Sequence, residues 1–183
     1  MNPIKTDIIK AIGATINEEG INALSVDVLS FKMGIIQDEL SLYFKKDDDI
    51  LKFISLNLED EIKQLINNVV ALNHPPEKEL EDLFKRLYEL FDQKSYYLYI
   101  LFSSEINEKD TAIQEILKRI KNTAKTYLSQ VLEQGKKTGV FCNKLETGYL
   151  VENILGHFRL FMSDQQLTNK MIRDIKLIRA NKE

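Results

Sequence analysis

Aromatic residues are concentrated between positions 88 and 102, where their rings are suited to binding a small molecule. The members are Tyr88, Phe91, Tyr96, Tyr97, Tyr99 and Phe102. Small-molecule pockets in helical proteins are largely apolar with a few polar groups, which tyrosine hydroxyls can supply. Each ring taken singly is more readily explained as core packing, but the group predicts a pocket for a flat hydrophobic ligand.

A histidine extends this prediction to a second part of the chain. His157 lies among the apolar residues Ile154, Phe158 and Phe161. One interpretation places it against the ligand, and the other makes it a hydrogen-bonded histidine at a subunit interface. Of these seven residues, the aromatic group and His157, six are predicted to contact the ligand: Tyr88, Phe91, Tyr96, Tyr99, Phe102 and His157.

The sequence lacks the residue patterns that support catalysis or metal binding. It contains no glycine-rich phosphate loop, no Gly-x-Ser-x-Gly turn and no Cys/His pair at a recognised spacing. Two histidines that lie far apart, His74 and His157, and the single Cys142 give no metal-ligand spacing. We therefore predict a protein that is not an enzyme and uses no metal or cofactor.

Composition narrows the class of protein further. Hydrophobic residues make up 44% of the chain and charged residues 29%, the balance of a folded globular protein. No stretch approaches the roughly 18 uninterrupted apolar residues of a membrane helix, and the first residues do not form a signal peptide. A lone cysteine suits a reducing compartment, so we expect a cytoplasmic protein without membrane contact. The net charge of −3 means that any nucleic-acid contact must come from a local basic patch.

Few helix-breaking residues and regular apolar spacing predict an all-α protein that begins with three helices. Isoleucines recur every three or four residues over 4–19, as on one face of a helix. Ser25 is suited to cap a short second helix, and a turn at Gly34 separates it from another short helix at about 36–44. Two short helices joined by a glycine turn and packed on a longer one form a helix-turn-helix head, residues 1–46.

A long helix begins at the acidic run 47–49 and joins the head to a C-terminal helical bundle, residues 47–183. Acidic side chains favour the start of a helix because they face the positive end of its dipole. Within the bundle, the segment 96–102 is apolar on all sides and is expected to be buried. Gly135 and Gly139 are expected to break the chain between two helices.

The bundle also supplies a predicted subunit interface for a two-fold homodimer. Two helices, at about 113–131 and 149–162, carry apolar residues over more than one narrow stripe, which favours packing both inward and against a second copy. The predicted interface residues are Leu128, Val131, Leu150, Ile154, Phe158 and Phe161. The alternative is that the same residues are buried within one chain.

Five short segments of the N-terminal region occur in a specific order, and a sixth segment, residues 135–141, gives a second and weaker match near the other end of the chain. The five N-terminal segments are Glu18-Glu19-Gly20, Leu24-Ser25-Val26, Met33-Gly34-Ile35, Leu40-Ser41-Leu42-Tyr43-Phe44-Lys45 and Asp48-Asp49-Ile50-Leu51. In this order they resemble the TetR family of bacterial transcriptional regulators over about residues 4–55. The resemblance implies a dimer whose two heads bind palindromic double-stranded DNA, and whose bodies bind a small hydrophobic effector that alters the spacing of the heads.

The resemblance also implies which residues contact DNA. They are expected on the two short helices and their flanks: Ser25, Lys32, Gln37, Ser41, Tyr43, Lys45 and Lys46. Several neighbouring positions depart from the family. Where the family commonly has a Ser or Thr, a small residue and a Lys, this chain has Ile36, Asp38 and Asp47. The family's phosphate-contacting Tyr falls at Ser41.

The charge of this region is also unusual for a DNA reader. Between Ser25 and Asp49 six acidic residues oppose three lysines, which leaves a net charge of −3. Affinity for DNA comes largely from cations that replace its counterions. Two interpretations stay open. Either the head still reads DNA, with Glu39 able to accept a bond from a cytosine amino group, or it has lost DNA and acts as a protein- or ligand-binding module.

Overall fold

The computed structural model describes the backbone of residues 3–103, 106 and 111–177, and every regular element in these residues is helical. The helices are α1 (Pro3–Glu19), α2 (Val26–Met33), α3 (Gln37–Leu40), α4 (Asp47–Val70), α5 (Pro76–Gln93), α6 (Tyr96–Phe102), α7 (Thr111–Lys137), α8 (Thr147–Gly156), α9 (Phe158–Ser163) and α10 (Gln165–Leu177), with a 3₁₀ turn at Ile21–Ala23. The prediction of an all-α protein is confirmed. None of these helices is both long enough and apolar enough to cross a membrane.

The chain divides into two compact units. The first consists of Met1–Asp60 and Lys94–Lys118, and the second of Glu61–Gln93 and Arg119–Glu183. The first unit therefore contains α1–α3, the first half of α4 and all of α6. The predicted boundary between a head and a body after residue 46 stays a prediction.

The core of the first unit is built from the apolar faces that the sequence predicts. On α1, Ile8 and Ile12 have no exposed surface, and Leu29 of α2 and Leu40 of α3 are equally buried. Just beyond α3, the ring of Phe44 packs edge-on against another ring, that of Phe53 on α4, with centroids 5.4 Å apart. The helix-turn-helix arrangement is thus held by side chains from all four helices.

Helix α6 belongs to the same unit because it lies directly against α1. The ring of Tyr96 comes so close to Gly13 that a β-carbon at this position would overlap it. The neighbouring Tyr97 is fully buried, and its hydroxyl accepts a 2.7 Å hydrogen bond from the side-chain amide of Asn57 on α4. A glycine on α1 and a polar bond to α4 therefore fix the position of α6.

The second unit is organised around α5, whose apolar face is buried. Phe84 and Phe91 of this helix pack edge-on against Phe161 and Phe158 of α9, with centroids 6.2 and 5.5 Å apart. The hydroxyl of Tyr127 on α7 donates a 2.8 Å hydrogen bond to a carboxylate at the start of α5, that of Glu79. Helix α10 also packs on α5.

Two predictions about the first unit were wrong. The second short helix ends at Leu40 rather than at about residue 44, because the N–H groups of Leu42 and Tyr43 bond to carbonyls three residues back instead of four. The segment 96–102 is not buried on all sides, since Tyr99 is 55% exposed and Phe102 is 38% exposed.

Two predictions about the second unit were also wrong. Gly135 does not break the chain: it lies inside α7, and the ring of Phe141 folds back onto it where a side chain would stand. The predicted helix at 149–162 is divided at His157, whose backbone is not helical. The ring nitrogen Nδ1 of His157 also bonds to the Asn153 carbonyl at 2.8 Å, which stabilises the break.

Candidate nucleic-acid interface

Local signals in the sequence set the frame of the two short helices. The hydroxyl of Ser25 accepts a hydrogen bond from the N–H of Val28, so this residue is the predicted N-cap of α2. Gly34 ends α2 in the left-handed conformation, with φ 66°, which a glycine adopts without strain. The hydroxyl of Ser30 then donates to the carbonyl of Ile35 and fixes the turn that leads to α3.

Helix α3, which would enter the DNA groove, presents acidic and apolar side chains. Gln37, Asp38 and Glu39 are all exposed. The amide of Gln37 donates a hydrogen bond to the carboxylate of Asp27 on α2. The residue before α3, Ile36, is 65% exposed. The exposed polar groups of α3 are therefore mostly hydrogen-bond acceptors, whereas the phosphates of DNA require hydrogen-bond donors.

Two of the three lysines in this region are held in ion pairs. The ammonium of Lys32 lies 2.6 Å from Glu18 and 2.9 Å from Glu19, at the end of α1. Hydrogen bonds to these two carboxylates, that to Glu18 first, raise the pKa of Lys32 above its ordinary value. Lys46 lies 3.4 Å from the carboxylate of Asp48. Each of these cations must leave an acidic partner before it can contact a phosphate.

The turn after α3 supplies the remaining predicted DNA contacts. Lys45 differs from the other two lysines because its ammonium donates to a neutral group, the carbonyl of Ser41, at 2.8 Å. The hydroxyl of Ser41 is itself occupied, since it donates to the carbonyl of Asp38 at 2.7 Å. Tyr43 is 42% exposed, with its ring against Phe44. Of the DNA contacts predicted in this turn, Lys45 and Tyr43 are therefore the most accessible to a phosphate.

Two carboxylates at the start of α4 accept hydrogen bonds from backbone N–H groups, which the sequence did not reveal. Asp47 accepts a 2.8 Å hydrogen bond from the backbone N–H of Val26, 21 residues earlier. Asp49 accepts bonds of 2.8 and 3.1 Å from the N–H groups of Lys45 and Lys46. The dipole argument predicted that a helix begins at these carboxylates, but it did not predict that Asp47 would reach the start of α2.

Exposed apolar side chains are the second feature that sequence reasoning missed. Phe31 on α2 is 88% exposed and Leu42 after α3 is 78% exposed. The available signal was helical spacing: Phe31 stands four residues after the exposed Asp27 and on the opposite side of α2 from buried Leu29. Exposed apolar side chains are unexpected on a surface predicted to bind DNA, because they cannot bond to phosphates.

The predicted ligand residues are shared between the two units. In the first unit, Tyr96 of α6 is buried against α1, whereas Tyr99 and Phe102 are exposed. In the second unit, Phe91 is buried beside Phe158, Tyr88 is half-buried and His157 is exposed. A cavity of about 550 Å³ in the second unit lies elsewhere, where Lys136, Lys137 and Lys144 contribute to its lining. One pocket made of all six ligand residues stays a prediction.

The predicted subunit-interface residues are largely covered by their own chain. Leu128, Val131 and Ile154 are each at most 4% exposed. Leu150, Phe158 and Phe161 are half-buried, and the two phenylalanines pack against α5. Two other apolar residues of α8 and α9 are more accessible: Tyr149 is 60% exposed and Leu160 is 53% exposed. A subunit interface on these helices stays a prediction.

We also searched the described residues for a possible metal site. Within residues 3–103, 106 and 111–177, no three His, Cys, Asp or Glu side chains are grouped so that they could hold a metal ion. Cys142 is buried and receives a 3.2 Å hydrogen bond from the backbone N–H of Lys144.

Comparison with known proteins gives a clear result for structure and none for sequence. No protein-family model matches the sequence, and no curated protein matches it. A TetR-family regulator from Agrobacterium tumefaciens is similar to it, with a TM-score of 0.81 and 17% identity, covering 94% of this chain and 97% of that chain. FadR from Bacillus subtilis, solved with stearoyl-CoA, has a TM-score of 0.71 and 19% identity, covering 93% and 97%.

A third solved structure contains DNA. AibR, in complex with isovaleryl coenzyme A and operator DNA, has a TM-score of 0.75 and 12% identity, covering 94% of this chain and 97% of that chain. Since these likenesses extend over nearly the full length of both proteins, they include the head as well as the helices that follow it. The chain has the fold of the TetR-family transcriptional regulators.

Proposed function

We propose that this protein is a one-component transcriptional regulator that binds palindromic operator DNA as a homodimer and responds to a small hydrophobic ligand. The observation that carries the proposal is the likeness to AibR over 94% of the chain, because AibR was solved with both operator DNA and an acyl-coenzyme A. The intact cap at Ser25 and the turn at Gly34 support it, since they preserve the helix-turn-helix geometry.

DNA contacts would come from the turn after α3 and from the ends of the short helices. Lys45 is the principal phosphate contact, because its ammonium is bonded only to a carbonyl. Tyr43 and Ser41 are close to it in the chain, and the exposed Gln37 would face the groove from the start of α3. Lys32 and Lys46 join once their acidic partners are displaced. With few phosphate contacts available, affinity depends on both heads of the dimer binding together.

The effector would be a hydrophobic molecule with an acyl chain, as in the FadR and AibR complexes. The proposed contacts are the aromatic residues that the sequence indicates: Tyr88, Phe91, Tyr96, Tyr99, Phe102 and His157. Dimerisation would use α7 with α8 and α9, where the exposed Tyr149 and Leu160 add accessible apolar surface to the predicted interface.

Fluorescence anisotropy with labelled DNA from upstream of the protein's own gene tests this function. We expect saturable binding that exceeds binding to scrambled DNA and weakens as salt is raised. Lys45→Ala should reduce the affinity severalfold, while Lys85→Ala, an exposed lysine of the second unit, should leave it unchanged. Absence of binding at low salt by a folded dimer would contradict the proposal.

A second candidate function is a TetR-like dimer whose head has exchanged DNA for a protein partner. The specific observation in its favour is the state of the head surface. Lys32 and Lys46 are neutralised by acids of the same chain, while Phe31 and Leu42 extend into solvent. Large exposed apolar side chains are costly in water and commonly mark a contact surface.

A further inference from the structure

We infer that the face formed by α2, α3 and the following turn docks a basic amphipathic helix of another protein. This inference rests on the second candidate function and names its partner. The docking face is defined by four exposed apolar side chains and three exposed acids: Phe31, Ile36, Leu42, Tyr43, Asp27, Asp38 and Glu39.

The apolar members of the docking face provide the anchors. Phe31, Leu42 and Ile36 are 88, 78 and 65% exposed, and Tyr43 is 42% exposed. These four large apolar residues fall within thirteen consecutive positions of the chain. Aromatic and large aliphatic side chains contribute most of the energy of protein interfaces when a partner covers them.

Helical spacing and two hydrogen bonds connect the segments that form the docking face. Asp27 and Phe31 are separated by four residues on α2, so they lie one turn apart on the same side of the helix. The hydrogen bond from Gln37 to Asp27 places the start of α3 against that side, next to the exposed Ile36. Leu42 follows α3 after a single further turn, in which its N–H bonds to the carbonyl of Glu39.

Charge decides what kind of molecule fits this face. Asp27, Asp38 and Glu39 border the apolar residues, and their carboxylates would repel both a nucleic acid and an anionic membrane. A second copy of the same face would bring its own three acids against them. A helix with one apolar stripe flanked by Lys and Arg satisfies both requirements, because it covers the anchors and pairs with the carboxylates.

Asp27 accepts a hydrogen bond from Gln37, but the head lysines do not compete with a partner for Asp38 and Glu39. Lys32 bonds to Glu18 and Glu19 on α1, and Lys46 to Asp48 on α4. Asp38 and Glu39 remain exposed on α3. A docked helix would cover α3, so the same head could not hold this partner and operator DNA together.

A labelled peptide provides the test. The probe is a fluorescein-labelled 14-residue peptide of Leu and Lys at helical spacing, and the control is a peptide of the same composition, scrambled to remove the apolar stripe. With the full-length protein, we expect saturable binding of the helical peptide at least tenfold tighter than that of the scrambled one. Hydrogen-exchange mass spectrometry should then show protection in residues 26–43.

Variants assign the binding to the docking face. The double substitution Phe31→Ser with Leu42→Ser should weaken peptide binding at least tenfold, because it removes the two most exposed anchors. The matched control, Val70→Ser with Leu72→Ser, removes two exposed apolar residues elsewhere and should change nothing. Asp38→Asn with Glu39→Gln should weaken binding severalfold and flatten its dependence on salt. Circular dichroism checks that each variant is folded.

The inference is overturned if the helical peptide does not bind, or if protection from exchange falls outside residues 26–43. It is overturned as well if the Phe31/Leu42 double variant and the Val70/Leu72 control bind the peptide with the same affinity. It is also overturned if sedimentation shows self-association that Phe31→Ser abolishes, since a second copy would then occupy the face. No DNA is present in this experiment, so its outcome is separate from that of the operator titration.

Discussion

The carboxylate of Asp47, the first residue of α4, accepts a 2.8 Å hydrogen bond from the backbone N–H of Val26, the first residue of α2. The first N–H groups of a helix have no partner within it. Ser25 satisfies that of Val28, and Asp47 satisfies that of Val26 from a distant part of the chain. The start of the long helix is thereby tied to the helix-turn-helix.

Removing this tie should destabilise the protein. Asp47→Ala is expected to lower the free energy of unfolding by about 1 kcal/mol, as for the loss of a helix cap. Asp47→Asn keeps an acceptor oxygen and should recover most of that loss. Urea unfolding measures both. Asp48→Ala is the control, because Asp48 pairs only with the exposed Lys46 side chain; an equal loss in this variant would refute the role given to Asp47.

Releasing Lys32 should strengthen DNA binding if the head reads DNA. In Glu18→Gln with Glu19→Gln, the ammonium of Lys32 loses both carboxylates and becomes available to a phosphate. The operator affinity should rise, and the slope of its logarithm against the logarithm of salt concentration should steepen by about 0.9, as for one added contact. Anisotropy titrations over a salt series measure both quantities.

The control for this prediction changes the net charge equally. Glu89→Gln with Asp92→Asn also removes two exposed acids, but from the second unit. We expect little change in affinity and none in the salt slope. If both pairs of substitutions had the same effect, net charge rather than the release of Lys32 would be responsible.

Gly135 should tolerate no side chain. Gly135→Ala forces the ring of Phe141 away from α7 and is expected to cost about 1–3 kcal/mol of folding free energy, as for overpacking of a core. Gly148→Ala meets nothing within 4 Å and should be neutral or slightly stabilising. Thermal or urea unfolding compares the two. A Phe141→Leu background should relieve part of the cost, and equal effects at both glycines would contradict this account.

Stability should fall in alkaline solution partly because of Tyr127. Burial, and then the hydrogen bond to the Glu79 carboxylate, raise the pKa of the Tyr127 hydroxyl far above its ordinary value. The folded state therefore keeps this proton while the unfolded chain loses it near pH 10. Tyr127 consequently does not change the free energy of unfolding below that pH and lowers it above, by up to about 1.4 kcal/mol per pH unit.

Urea unfolding between about pH 9 and pH 11 checks this prediction. Tyr127→Phe should show a shallower loss of stability above pH 10 than the unsubstituted protein, although it is less stable at neutral pH because the bond to Glu79 is gone. Tyr99→Phe, at an exposed tyrosine, should keep the original slope. Identical slopes in all three proteins would show that Tyr127 does not contribute.

The sequence predicted those features that depend on neighbouring residues. Ser25 caps α2 and Gly34 ends it because capping and left-handed turns are set within a few positions of the chain. The apolar spacing of α1 and α4 likewise predicted which of their faces are buried. For these elements, local chemistry and the final fold agree.

Features that depend on distant contacts were not predictable in the same way. Lys32 was expected at DNA, but its partners Glu18 and Glu19 lie on another helix and become visible only once α1 and α2 are packed. Gly135 looked like a break because nothing in the sequence shows that Phe141 returns to it. The location of the candidate site therefore stays a prediction from the sequence, while the ion pairs of its lysines became visible only in the structure.

The fit of Tyr96 against Gly13 has a consequence for the modularity of the protein. The N-terminal helix cannot be exchanged for that of another protein without regard to α6. Here a transplanted segment would have to offer the same bare patch of backbone on its first helix, and any larger residue would displace the tyrosine. A replacement for α1 must therefore be matched to α6, so the two helices can be exchanged only together.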